Sequence, residues 1–232
     1  KGAWGLWKTP RSKFSAYHGY WPTSFTQINP AFGTKNDFKT CISTAHQKNM
    51  NVLLDVVANH IHIDHLLYQS NPEYFTSLYL PDGTMNTEKW DEHRLTTWFD
   101  VHMPSFNHEI ESVRELLSDS LMNLIHEYQF DGFRHDATKH VPSSFWKLLT
   151  KKIKNQYQHE SNREFFQIGE TYGSHKLVGS YVNSGQLDAQ FDFNVYDAIM
   201  KVLCDDASFN VFTDVIDKSI ATYGDHHLMG NI

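Results

Sequence analysis

Short apolar runs separated by segments of helical periodicity recur along this chain, and no other feature limits its folding options as strongly. Asn51 to Val57 (NVLLDVV) is an apolar run broken by one acid, the pattern of a parallel strand buried on both faces. Before it, Thr34 to Asn49 carries Phe38, Cys41, Ile42 and Ala45 at helical spacing, with Thr34 or Asn36 as N-cap and the Cys41 thiol on the apolar face. Ile110, Val113, Leu116, Leu117, Leu121, Leu124 and Ile125 mark a second helix, which feeds a run closing on Phe133-Arg134-His135-Asp136. A helix from about Ser143 follows, then a strand at Phe165 to Gly169 that runs straight into Glu170. A strand at Ala189 to Phe193, helices near Tyr196 to Cys204 and Val211 to Ile220, and a strand from about Leu228 complete the series. With a short strand at Ala3 to Lys8, ended by Thr9-Pro10, the sequence predicts six strands in an α/β fold. Parallel neighbours need a long crossover, and the intervening helices supply it.

Between His62 and Asn107 the periodicity gives way to Pro, Asn, Asp, Thr and aromatic residues. A structureless loop that long is improbable inside a compact domain, so residues 61–107 are expected to form a small inserted domain, with 1–60 and 108–232 as the main unit. The 40% apolar and 14% aromatic content is ample for a core. A net charge of -7 argues against a nucleic-acid partner, since the only basic run, Lys151-Lys152-Ile153-Lys154, reads as the solvated end of a helix. No stretch reaches the about 18 apolar residues of a membrane-spanning helix. The two cysteines, Cys41 and Cys204, suggest neither a disulfide framework nor a metal site. Nothing in the sequence sets an oligomeric state.

Three acids, Asp55, Asp136 and Glu170, stand at the C-terminal ends of expected strands. Alternation turns Arg134 and Asp136 to one side of their strand, where the guanidinium would keep the carboxylate ionised. Glu170 follows Gln167-Ile168-Gly169 with no cation near it in sequence. Environments that separate two acids in this way assign one as base or nucleophile and the other as proton donor, as retaining glycosidases require. The histidines of His60-Ile61-His62-Ile63-Asp64-His65 are too loosely patterned for a zinc site. Trp90, Trp98 and Phe99 read as packing residues, whereas Tyr172, two positions after Glu170, is a candidate sugar platform. Tyr20 and Trp21 lie on a polar loop, where function is as expected as packing.

These residues resemble the motifs of the α-amylase family of retaining α-glycosidases. Asp55-Val56-Val57-Ala58-Asn59-His60 is similar to its first motif, Gly132 to His140 (GFRHDATKH) to its second, and Gly169-Glu170 to its third. Ala16 to Trp21 resembles the aromatic loop preceding the first motif, and Met103-Pro104-Ser105-Phe106-Asn107 the segment closing the inserted domain. The resemblance implies a partial (β/α)8 barrel, from about the second strand to the seventh, acting on α-1,4-glucans. It implies Asp136 as nucleophile, Glu170 as general acid/base and Arg134 as the group orienting Asp136. His60 would hydrogen-bond the sugar before the scissile bond and Tyr20 would stack on it, while Lys139 and His140 would line the subsites beyond. Asp55 would tether Arg134 and the strand ends.

The family's third carboxylate follows its seventh strand, which Leu228 to Ile232 resembles, so that acid is expected beyond the last residue. Asp225-His226-His227 precedes the strand and is not taken for it. A fragment with this content is expected to be unstable or inactive by itself. The resemblance also raises Ca²⁺, bound through Asn59 and the backbone carbonyl of His140. Ser105 stands where many calcium-binding relatives carry Asp, so the site would need Asp64, Asp91 or Asp100 as substitute. Hydrolysis of starch or maltodextrin is the leading expectation. A transglycosylase or cyclomaltodextrinase-like enzyme and a non-catalytic glycan-binding homologue are the alternatives. The resemblance favours a secreted or periplasmic protein, although no signal peptide is read.

Overall fold

The computed structural model describes residues 2–5, 12–159, 162–224 and 228–230. Gly2–Gly5 (β1) and Ser12–Ser15 (β2) form a two-stranded antiparallel ribbon. Helix α1 spans Lys35–Gln47 and leads into β3 (Leu53–Val57); a short helix α2 (Leu66–Ser70) follows. The chain continues through α3 (Glu111–Tyr128), β4 (Gly132–Asp136) and α4 (Ser143–Lys152), the last prolonged by a π-helical turn over Ile153–Gln158. Then come β5 (Phe166–Gly169), α5 (His175–Gly179), β6 (Ala189–Asp192), α6 (Phe193–Cys204), α7 (Asn210–Tyr223) and β7 (Leu228–Gly230). Strands β3 to β7 pair in chain order, all parallel. With right-handed crossovers, an order that never reverses lays the helices on one face and leaves the other to line an arc of a barrel.

The apolar run at Ala3 does not join this sheet, so the parallel sheet has five strands among the described residues rather than six. Its partner lies only a few residues on, and local antiparallel pairing closes a short loop without a crossover. Leu6 to Arg11, with Thr9-Pro10, lie outside the described residues, as do Asp225-His226-His227. Thr34 caps α1 in a reciprocal box with Asp37, at 3.2 Å from the Asp37 N–H and 2.8 Å from the Thr34 N–H to the carboxylate. Helix α1 buries Ile42, but Cys41, about 100° round the helix from it, is exposed rather than on the apolar face.

The core lies between the sheet and the helices. The outward side chains of β4, Phe133 and His135, meet Phe165 and Trp146 with ring centroids 5.0 and 4.7 Å apart. Phe133, Phe145, Trp146 and Leu149 are wholly buried, and truncating one such aromatic to Ala costs about 3–5 kcal/mol. Gly132 is required by the approach of β4 to β5, because a β-carbon there would meet the Phe166 carbonyl oxygen at 2.2 Å. On α4, Lys152 is not a solvated charge as expected; it bridges to Glu115 and Asp119 of α3. Residues 61–107 leave and return at one place, since His60 bridges Ser105 and Phe75 bridges Phe106. Phe75, Trp98 and Phe106 are buried within that segment, with Phe75 stacked on Phe106 at 4.6 Å. Among the described residues no helix is long and apolar enough to cross a membrane.

Candidate active site

Pairing in register converts separate strand-end residues into one cluster. Asp55 pairs with Arg134, Val57 with Asp136, and His135 with Gly169, so Asp55, Arg134, Asp136 and Glu170 share the face away from the helices. One guanidinium serves all three acids. Arg134 Nη1 lies 2.8 Å from Asp55 Oδ1 and 3.0 Å from Asp136 Oδ1, while Nη2 lies 2.8 Å from Glu170 Oε2. No cation lies near Glu170 in sequence; the parallel register supplies the one that Asp136 already uses. Glu170 is held by its backbone as well: its N–H donates to Thr138 Oγ1 at 2.9 Å, and the Thr138 N–H donates to its carbonyl at 2.9 Å. This grip depends on Ala137 turning left-handed at φ 51, which folds Thr138–His140 into a 3-10 turn. Gly169 completes it, since a β-carbon there would lie 2.4 Å from Gln190 Nε2 and 2.7 Å from Thr138 Oγ1.

Electrostatics differ from the expectation that Arg134 holds Asp136 well ionised. Burial pushes the Asp136 carboxyl above the usual carboxylate range despite Arg134, because that guanidinium is divided among three acids. Glu170 is raised too, first by burial and then by the Asp136 charge. Asp136 and Glu170 act on each other, and both stay above the usual carboxylate range. Burial opposes the charge of Arg134, but Glu170, Asp55 and Asp136 outweigh it and raise its pKa.

The cleft beside this cluster, about 400 Å³, is lined by Asp136, Glu170, Lys139, His140 and Tyr172, together with Trp90, Asp91 and Phe99. Lys139 Nζ pairs with Asp91 at 2.9 Å, and the exposed Tyr172 hydroxyl donates to Asp197 at 2.8 Å. Tyr20 donates its hydroxyl to Asp55 at 2.9 Å and lays its ring 5.6 Å from the Arg134 guanidinium; burial and that hydrogen bond push its pKa to about 12. His60 is 1% exposed with both ring nitrogens engaged: Nε2 donates to the Tyr20 carbonyl at 3.0 Å and Nδ1 accepts from Asn59 at 3.2 Å. In this arrangement it positions the Tyr20 loop and presents no open donor. Trp21 packs edge-on against His18 and His102, away from the cleft lining. Trp90 and Phe99 do pack, at 4.7 Å from each other, yet they also face the cleft. Only the approach of 61–107 to the β4 end reveals this. A larger hollow of about 660 Å³ between α2 and α3 is lined by Leu67, Tyr74 and Leu116 with Glu111 and Glu115, and holds no buried titratable group.

The carboxylates that a Ca²⁺ site at Asn59 and the His140 carbonyl would need face other groups. Asn59 donates its amide N–H groups to His60 and, at 3.5 Å, to Ser105, whose own hydroxyl donates to the Thr97 carbonyl and supplies no carboxylate. Asp91 pairs with Lys139, Asp100 accepts from the Val101 N–H and faces His102 at 3.6 Å, and Asp64 faces His62 at 3.8 Å. The Lys139 carbonyl, beside the expected His140 ligand, receives the Arg94 guanidinium at 2.6 Å. A cation already sits there, and no carboxylate joins it. Among the described residues no group of three or more His, Cys, Asp or Glu is arranged for a metal.

A parallel arc with acids at the C-terminal ends of successive strands is the layout of barrel enzymes. Residues 2–225 match the model of the family described as Alpha amylase, catalytic domain. Alpha-amylase 2 of Schizosaccharomyces pombe is 32% identical over 192 residues, covering 78% of this chain and 31% of that protein. A cyclomaltodextrin glucanotransferase of Bacillus sp. (strain 38-2) is 32% identical over 155 residues, 61% of this chain and 22% of that enzyme. The solved structure of the Geobacillus thermoleovorans alpha-amylase complexed with acarbose aligns with a TM-score of 0.77 at 30% identity, covering 91% of this chain and 46% of that one. The chain belongs to the alpha-amylase catalytic-domain family, and it spans less than half the length of each of these relatives.

Proposed function

We propose that the protein carrying this chain hydrolyses α-1,4-glucosidic bonds of starch or maltodextrins with retention of anomeric configuration. The observation behind this reading is the joint hold of Arg134 on Asp136 and Glu170. Two carboxyls held by the two nitrogens of one guanidinium stand close together, which suits the retaining geometry of about 5–5.5 Å rather than the wider inverting one. Asp136 attacks the anomeric carbon as the glycosidic C–O bond breaks, and Glu170 gives its proton to the leaving oxygen. Glu170 then takes a proton from the water that cleaves the glycosyl ester, which frees Asp136. Asp55 and Tyr20 hold Arg134 in place, and Trp90, Phe99 and Tyr172 offer apolar faces to sugar C–H surfaces. Lys139 and His140 line the side that receives the leaving chain.

The test is a proton NMR time course of maltooligosaccharide cleavage by the full-length protein. The first-formed reducing ends are expected to be α, and β products would overturn the reading. A second reading, transfer to a sugar acceptor, draws support from the similarity to the Bacillus glucanotransferase. It predicts products longer than the substrate at high oligosaccharide concentration.

A further inference from the structure

Segment 61–107 meets the end of β4 through a fixed positive charge. Arg94 Nη1 donates to the Lys139 carbonyl at 2.6 Å and to the Tyr181 hydroxyl at 3.1 Å. The contact is reciprocal, since His140 Nδ1–H donates to the Arg94 carbonyl at 2.8 Å. Tyr181, 3% exposed, follows α5, so Arg94 joins three stretches distant in sequence: its own segment, the turn after Asp136 and the connection after β5. His140 also meets Phe99 and Trp90 edge-on at 4.8 and 5.7 Å, which carries the junction to the cleft wall.

A divalent ion at this junction would need backbone carbonyls and at least one carboxylate. Here a guanidinium sits on the Lys139 carbonyl, one residue from the His140 carbonyl expected as ligand, where its charge would repel a divalent ion, and Asp64, Asp91 and Asp100 each face another group. Arginine is charged at every working pH and orients several N–H donors in a rigid plane, so it bonds carbonyl and hydroxyl oxygens without drawing on a pool of free ion. We propose that Arg94 replaces a structural metal. Its guanidinium locks segment 61–107 onto the turn after Asp136, and the order of the cleft wall is independent of calcium.

Amide hydrogen exchange on the full-length protein reads this junction directly, in peptides covering residues 90–107 and 137–141. Chelator-treated and calcium-supplemented wild type are expected to show the same protection there. Arg94→Met is expected to speed exchange in both peptides by roughly 10- to 100-fold with or without calcium, the scale of a lost charge-assisted hydrogen bond. Arg94→Lys, which keeps the charge but not the fork, is expected to fall between. Loss of protection in wild type on chelation would overturn the proposal, and so would wild-type protection in Arg94→Met. The wild-type arm decides the matter even if Arg94→Met does not fold.

Discussion

The two ends of β4 each hold a partly buried acid beside an arginine, and they do opposite things. Before the strand, Asp131 accepts from the Val52 N–H at 2.7 Å, from His46 at 2.8 Å and from Arg163 at 2.8 Å. Burial alone would raise its pKa, but these donors overcome it and hold the carboxyl below its usual value. At the other end Asp55, Asp136 and Glu170 divide Arg134, and burial wins at both Asp136 and Glu170. Several donors for one acid hold its pKa down; several acids for one donor leave theirs raised.

The signs of linkage follow. Asp131 is lowered, so its contribution is present above the unfolded value near about 3.9 and is lost as pH falls through the folded one. Asp136 and Glu170 are raised, so their contribution is complete below the unfolded values and is lost as pH rises through the folded ones. At neutral pH the first end stabilises the fold and the second weighs against it.

The strongest way to break this contrast is Asp136→Asn in the full-length protein. Starch hydrolysis is expected to drop by on the order of 10⁴-fold or more, while the calorimetric Tm at neutral pH holds or rises. A clear fall in Tm would mean that Asp136 is a structural tie like Asp131. Glu170→Gln is expected to cost about 10²- to 10⁴-fold on unactivated glucans and much less on substrates with acidic leaving groups. Equal losses on both would remove Glu170 as proton donor. The raised pair also places the acid limb of kcat/KM above the pH at which an ordinary aspartate titrates, which a pH–rate profile reads directly.

Asp131→Asn probes the other end. It is expected to cost about 1–3 kcal/mol in urea denaturation at neutral pH, converging with wild type as pH falls below the aspartate range, with kcat unchanged. A comparable loss of kcat would couple the two ends. The smallest effect is expected from Thr138→Val, which removes the oxygen that accepts from the Glu170 N–H. A roughly tenfold loss of kcat with an altered alkaline limb, restored by Thr138→Ser, would sharpen the assignment of Thr138 as a positioning residue.

Much of this was legible in the sequence because it is local. Period-2 alternation puts Arg134 and Asp136 on one face, and Thr34 stands as one of two N-cap candidates for α1, the one the structure uses. What depends on register or on distant segments was not. Glu170 reaches Arg134 only because β5 aligns with β4, and no sequence spacing states that alignment. Arg94 and Asp91 lie in an aperiodic stretch and gain meaning only where it folds against Lys139. The run at Ala3 looked like the other strands because apolarity does not name a partner. Cys41 shows that a helical face has an edge one residue wide.

Gly169 bears on what mutation can explore in such a protein. A wider gap between Asp136 and Glu170, the gap that would admit a water and invert the product, calls for pushing Glu170 outward. A side chain at 169 would push, but it would strike Gln190 and the Thr138 hydroxyl that fixes Glu170. The step toward the other stereochemistry therefore dismantles the acid it is meant to move. Under the retaining mechanism proposed above, the spacing that would set the configuration of the product is guarded by an atom that is not there.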